Sequence, residues 1–428
     1  MKLITKLFVV AAIAVTTVSS FAQELDVNLQ LRPRFEYRNG YKELMKDGLY
    51  PTAIVSQRSR LNFLYKQEKL KANLTLQNVR VWGDVPTTSA TDKNGVALFE
   101  SWISYDFYPN WSTKIGRQVI SYDNQRIFGG IDWAQQGQSH DAILVSHKKN
   151  SYQLDLAAAI NNGGEILSES AYNTTYKNMQ FAWFSQKFSE VSLSLLALNT
   201  GYQYENLVEN KFEVAYLQTF GGFMKWESPK VYGDLGIYGQ MGEAALTNSK
   251  VDVSAYYAQV SLGYKFNQAF KADLGFEYLS GKDQNDGDPK VKSFAPLFGT
   301  NHAFNGFMDY FYVGNHKNSV GLQDLYAKFT FDKNKWQVAV IPHIFNSAAT
   351  VYNLNSFEEF DDYLGTELDI MATYKADKNF VISAGFSKMF GTETMEYLKG
   401  GNSSNDNNWA WVMVSFNPQI FSFKNKVD

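Results

Sequence analysis

From position 25 to 38 apolar and polar residues alternate without a break. Leu25, Val27, Leu29, Leu31, Pro33, Phe35 and Tyr37 hold the odd positions, and Asp26, Asn28, Gln30, Arg32, Arg34, Glu36 and Arg38 the even ones. Successive side chains of an extended chain point to opposite faces, so this period predicts a strand with one greasy face and one ionic face. About 14 residues is long beside the roughly 5–6 usual in soluble sheets, and it suits a tilted bilayer crossing with some overhang.

The pattern recurs over 58–67, 71–84, 97–108, 111–120, 140–148, 152–161, 177–188, 191–201, 212–226, 230–242, 252–266, 270–281, 320–331, 336–346, 363–375, 379–390 and 409–421. With the first segment these make about 18 strands, an even number of the kind expected of an outer-membrane barrel. Connection lengths test this independently. Tight links at 67–71, 108–111, 148–152, 188–191, 227–230, 267–269, 332–335 and 376–379 alternate with long ones rich in Gly, Asn, Asp and Ser, the longest being 282–319. A sandwich or propeller would not be expected to keep this rhythm from end to end. The expected fold is all-β: a transmembrane antiparallel up-and-down β-barrel of about 18 strands, with short periplasmic turns and long extracellular loops. Both termini then lie on the periplasmic side. Phase slips near Gln77-Asn78 and Gly116-Arg117 are read as β-bulges.

Composition fits this reading. Aromatics are 16% of the chain, with 32 Phe, 26 Tyr, only 9 Pro and no Cys, and the mean hydropathy is −0.31. Such a chain is rich in strand formers, and it has no long apolar helix beyond its first residues. Those first residues form a secretory leader: Lys2 and Lys6 precede an apolar run over 7–15, and Ser20-Phe21-Ala22 offers small residues for cleavage after Ala22. The expected organisation is a signal peptide over 1–22 and one outer-membrane barrel domain over 23–428. Basic residues number 40 against 43 acidic, and the leader takes two of the basic ones, so the mature chain is mildly acidic and implies no nucleic-acid partner. The expected partners are outer-membrane lipid and a hydrophilic or anionic solute.

A wall of about 18 strands is too wide for its own side chains to fill, so a channel is the default unless loops plug it. Arg32, Arg34, Arg38, Arg58, Arg60 and Arg80, together with Arg117 and Arg126, are expected to face the lumen or its mouth. Lumenal acids are available in Glu36, Glu100, Asp106, Glu277, Asp324, Glu367 and Asp369. Arginines on one sector and carboxylates on another create a transverse field that orients polar solutes and can favour anions. Guanidinium forks also suit carboxylates and phosphates bidentately. Trp82, Trp102 and Tyr238, expected on the inner face, can stack on sugar rings or simply narrow the pore. The alternative use of these charges is mutual pairing in a hydrated wall.

Catalytic and metal readings are weaker. Ser139-His140-Asp141 has the residue types of a triad, but adjacent strand residues point to opposite faces. His147, His302, His316 and His343 lack metal-ligand spacing, and no thiol exists. Asp283-Gln284-Asn285-Asp286-Gly287-Asp288 resembles a calcium loop, but its Gly is one place early and the twelfth-position Glu is missing. No cofactor, metal or enzymatic activity is expected. The aromatic run Phe304, Phe307, Tyr310, Phe311, Tyr312 is too apolar for a free loop, so 282–319 is expected to fold against or into the barrel mouth.

The block Gly116-Arg117-Gln118-Val119-Ile120-Ser121-Tyr122-Asp123-Asn124-Gln125-Arg126, continuing Ile127-Phe128-Gly129-Gly130-Ile131-Asp132-Trp133-Ala134-Gln135-Gln136, carries a family resemblance. So do Gln77-Asn78-Val79-Arg80-Val81-Trp82-Gly83-Asp84, Gly306-Phe307-Met308-Asp309-Tyr310-Phe311 and Leu364-Gly365-Thr366-Glu367-Leu368-Asp369. Together they resemble the alginate-export family of outer-membrane porins, in a Bacteroidetes-like version. The resemblance spans nearly the whole mature chain. It implies an 18-stranded barrel whose electropositive constriction passes an anionic polysaccharide such as alginate, or its oligosaccharides. By motif position, Arg80, Arg117, Arg126 and Asp132 carry over as pore residues. A barrel plugged by its loops, acting in surface binding, adhesion or assembly, is the other reading.

Overall fold

A computed structural model describes residues 23–300, 302–316, 319–353 and 355–425. The leader expected over 1–22 lies outside the described residues. The chain opens with five strands, β1 (Gln23–Asn39), β2 (Thr52–Gln67), β3 (Leu70–Val81), β4 (Ala97–Tyr108) and β5 (Trp111–Gln118). After an inserted loop come β6 (His140–Lys149), β7 (Tyr152–Ile160), β8 (Asn178–Phe188), β9 (Val191–Asn206), β10 (Lys211–Glu227), β11 (Val231–Ala245), β12 (Lys250–Lys265) and β13 (Phe270–Leu279). Beyond a second, longer insertion run β14 (Leu322–Lys333), β15 (Trp336–Asn346), the small hairpin β16 (Tyr352–Asn353) and β17 (Glu358–Glu359), β18 (Tyr363–Lys375) and β19 (Phe380–Gly391). Helix α1 (Glu393–Lys399), capped by Thr392, leads to β20 (Asn407–Phe416) and β21 (Gln419–Asn425).

Neighbours in sequence pair antiparallel, and β1 also pairs with β20 and β21, which closes the sheet. β20 and β21 are two halves of one strand. Asn417-Pro418 interrupts it, where proline lacks the N–H a ladder needs, and the Leu29 N–H donates to the Pro418 carbonyl instead (3.0 Å). The result is a closed antiparallel 18-strand β-barrel.

The two faces of each strand sort as the alternation demands. On β12, Tyr256, Val260, Leu262 and Tyr264 point out and are exposed, while Tyr257 and Gln259 between them are buried inside. Leu274 on β13, 60% exposed, belongs to the same outer band as Ile237 and Phe329. So large a continuous apolar surface is unstable in water and is the surface lipid covers. Among the described residues no helix is long and apolar enough to cross a membrane.

Several boundaries differ from those read in the sequence. β2 begins six residues earlier than expected, and β9 and β12 run further into the long loops. Past the bilayer both faces meet water, so a strand can continue without alternation. Of the two expected bulges, the one near Gln77-Asn78 has a register shift beside it and the one near Gly116-Arg117 does not. β3 runs in unbroken register along β2, and β5 along β6; the register shifts fall at Thr75/Leu76 and Tyr105/Tyr108, both in pairings of β4.

Candidate functional site

Two long connections turn inward and occupy the lumen. Inner loop A (119–139) joins β5 to β6, and inner loop B (280–321) joins β13 to β14. Loop B folds as its aromatic content requires: Phe294, Phe298, Met308, Tyr310 and Phe311 are buried with the wall residues Tyr257, Leu279, Phe345 and Leu364. The inward course of loop A was not foreseen, although Ile120, Ile127 and Phe128, which it buries, were visible as apolar residues in a nominal loop. The loops join directly. The Phe298 N–H donates to the Ile127 carbonyl (3.1 Å), Gly129 N–H to the Phe298 carbonyl (2.9 Å) and Thr300 N–H to the Gln125 carbonyl (2.9 Å). Gly299 permits this approach, since a β-carbon there would sit 2.2 Å from the Arg126 carbonyl oxygen.

Loop A is held by arginines of β1 and β2. Arg32 donates to the carbonyls of Asp132 (2.7 Å), Trp133 (3.2 Å) and Ala134 (3.2 Å), and to the Gln135 side chain. Arg34 donates to the Trp133 carbonyl (2.8 Å). The Asp132 carboxylate sits among Arg58 (2.8 Å), Arg32 (3.5 Å) and Arg60 (3.9 Å). Burial works against its charge, but the Arg58 and Arg32 guanidiniums outweigh it and hold Asp132 below the usual carboxylate range. Its side chain nonetheless stays 74% open to lumen water, so these ion pairs are partly screened.

Loop B is held by carboxylates. The Met308 N–H donates to Glu367 Oε1 (2.7 Å) and the Phe307 N–H to Asp369 Oδ2 (3.1 Å). Gly306, at φ +82°, makes the turn; a β-carbon there would lie 2.7 Å from the Glu367 carboxylate. Nearby, Arg126 of loop A pairs with Glu277 (3.0 Å) and Asn305 (2.9 Å). His343 bonds Asp324 (2.8 Å).

The loop tips meet in an aromatic column. The Arg34 guanidinium lies 4.0 Å from the Trp133 ring centre. On the other side Trp133 stacks on His302 at 4.1 Å and 12°, and His302 on Phe307 at 4.9 Å and 23°. Trp409 and Trp411 of β20 abut its edge. His302 is fixed by Asp309 (3.2 Å), which also accepts from the Tyr41 hydroxyl. A cavity of about 480 Å³ at the long-loop end is lined by Arg34, Glu36, Arg38, Tyr41 and Lys42. One of about 540 Å³ toward the short-turn end is lined by Asp234, Asp273, Glu277, Asp324 and Lys328. Trp133 and His302 are the two residues common to both linings.

The expected pore residues thus divide. Arg34, Glu36, Arg38, Arg60, Glu100, Trp102, Glu367 and Asp369 lie on the inner face, with Asp132 in the loop before them. Glu36 is fully buried between Arg34 and Arg38 (2.9 Å each) and accepts from the Trp409 indole (3.2 Å). Arg32 and Arg58, expected to face open water, are covered by loop A and fasten it. Arg126 is likewise buried, and so is Tyr238. Trp82 and Arg117 are corrected outright, and Arg80 sits at the mouth. Arg80 pairs across the ladder with outward-facing Gln57 and reaches Asp92 of a long loop; Trp82 donates to Gln57 (2.9 Å) at the outer rim. Arg117 lies opposite outward-facing Asp141 and pairs with it (2.7 Å). The register puts Trp82 and Arg117 outside the lumen, while Arg80, at the end of β3, lines the mouth of the long-loop chamber.

His140 points inward to Tyr176 (3.1 Å) while Asp141 points outward, so Ser139-His140-Asp141 builds no common site. Asp286 and Asp288 are both paired with Lys292. Among the described residues no group of three or more His, Asp or Glu is placed to hold a metal ion.

A lipid-facing barrel with a charged, loop-narrowed interior has the form of an outer-membrane channel. The chain belongs to the Alginate export family, whose profile matches residues 23–407. No curated protein sequence matches it significantly. Similar solved structures include OccAB4 of Acinetobacter baumannii, with TM-score 0.59 and 10% identity over 94% of this chain and 98% of that one. OccD3 (OpdP) of Pseudomonas aeruginosa gives 0.60 and 11% over 93% and 92%. OpdK of the same organism, solved with vanillate, gives 0.58 and 12% over 93% and 99%. At such identities the likeness speaks to the fold.

Proposed function

We propose that the channel is a passive path for small hydrophilic carboxylates, with uronate-type sugar acids and short oligomers of an alginate-like polysaccharide as the solute class. The observation that carries this reading is the floor of the long-loop chamber. There Arg34, Arg38 and Lys42 gather beside the faces of Trp133 and Tyr41, with Arg38 4.7 Å from the Tyr41 ring centre. Arg38 keeps a third of its side chain open to water and has Glu36 as its partner, so it can turn a guanidinium edge to an entering carboxylate. The inward loops favour short solutes over an intact polysaccharide strand. From the chamber a solute passes the aromatic column and leaves without covalent chemistry.

Reversal potentials of purified protein in a planar bilayer under a salt gradient test the reading. Anion preference, reduced by Arg34→Gln with Arg38→Gln, is expected. Cation preference would mean that the acidic chamber below, with Asp234, Asp273 and Asp324, sets selectivity instead. Absence of conductance would favour a plugged barrel that serves as a surface-binding protein.

A further inference from the structure

The four-layer column Arg34, Trp133, His302, Phe307 contains one junction between the two loops, which are bonded to each other at Phe298 and Thr300 and to the wall by different side chains. Trp133 rides on loop A, fixed by the arginines of β1 and β2, and Arg34 belongs to that same clamp. His302 and Phe307 ride on loop B, fixed by Asp369 through the Phe307 amide and by Asp309 through the imidazole. The Trp133 and His302 rings are nearly parallel and belong to both chambers, so a solute moving between chambers passes them. Parting them breaks this stack and loosens the edge contacts with Trp409 and Trp411, while the hydrogen bonds from Arg32 and to Asp369 lie outside the slot.

We propose that the slot between Trp133 and His302 is a ring-selecting subsite: a cyclic sugar acid crosses by inserting its ring between the two aromatic faces. The inference rests on the reading of the lumen as a path for hydrophilic solutes and adds what that path discriminates. A pyranose ring offers two flat, C–H-lined faces, one for each aromatic ring, and so restores stacking on both sides once Trp133 and His302 part. An open-chain polyhydroxy acid of the same charge has no such face. Arg34, against the outer face of Trp133, and Arg38 above it meet the carboxylate of the entering acid.

The test compares single-channel block by a cyclic hexuronate and by an open-chain hexonate of equal charge. The cyclic acid is expected to dwell about two- to tenfold longer, the worth of one aromatic pair. Trp133→Ala should erase the difference and Trp133→Phe should keep most of it. Equal dwell times in the wild type, or a ring preference that survives Trp133→Ala, would overturn the proposal. A neutral pair, a cyclic hexose against its alditol, separates it from the anion reading. Ring preference there together with cation-selective reversal potentials would sink the anion reading and leave the subsite standing.

Discussion

The two inner loops are fastened to the same barrel by opposite chemistry. Loop A turns its carbonyl groups to the wall, where Arg32, Arg34 and Arg58 donate to them; loop B turns its amide N–H groups to the wall, where Glu367 and Asp369 accept. A loop without regular structure leaves backbone groups unpaired, and inside a barrel each must find a partner. Donor-only guanidinium and acceptor-only carboxylate side chains supply complementary halves of that requirement. Charges that look like a bare electrostatic lining are therefore in large part the fittings of a partition, and the cations open to the long-loop chamber include Arg38, Lys42 and the edge of Arg34.

Removing the arginine clamp is the harshest way to break the comparison. Arg32→Ala with Arg58→Ala strips loop A of the buried guanidinium donors to its carbonyls, and a hydrogen bond to a charged group is worth roughly 1.5–3 kcal/mol. Single-channel conductance is expected to rise several-fold, with the barrel intact by its heat-modifiable migration on gels. The carboxylate clamp should yield less to conservative change. Glu367→Gln with Asp369→Asn leaves carbonyl oxygens that still accept from Met308 and Phe307, so those bonds keep about half their strength. A small rise in open-channel noise is expected, and the two alanine replacements should give a much larger one.

Gly306→Ala probes the turn of loop B alone. A left-handed backbone and a clash with Glu367 together cost about 1–2 kcal/mol, read as faster hydrogen exchange at the Phe307 and Met308 amides with unchanged exchange in loop A. The smallest effect is that of pH on Asp132. Its folded value lies below the ordinary one because Arg58 and Arg32 outweigh its burial. Its contribution to the loop A clamp is therefore complete above the normal carboxylate range and is lost only as pH falls through the depressed value. Conductance should hold steady from neutral to mildly acid pH and rise below it; Asp132→Asn should flatten that rise, and high salt should shrink it.

Which of these features could be read beforehand follows from range. The barrel was legible because alternation is local: Leu31, Phe35 and Tyr37 face lipid, and Arg34 and Glu36 face inward, as their positions in the 25–38 pattern require. The burial of loop B was legible through Phe307, Tyr310 and Phe311. The clamps were not, because they join residues about 100 positions apart, as with Arg32 and Gln135. No local pattern tells a lumenal arginine that meets water from one that meets a backbone carbonyl. Arg117 was misplaced for a different reason: it lies beside an apparent break in alternation, and the polar outer rim of a barrel produces such a break without a shift of register between β5 and β6.

On the proposed reading, loops A and B form one partition that sets passage through the lumen. The chain has no cysteine, so a disulfide can be introduced without competition. Phe128 and Phe298 face each other across the bridge between the loops. In the Arg32→Ala, Arg58→Ala background, oxidised Phe128→Cys with Phe298→Cys should return the raised single-channel conductance toward the wild-type level, and reductant should raise it again. Conductance that ignores the arginine substitutions, or that rises and stays high whether the bridge is oxidised or reduced, would contradict the account.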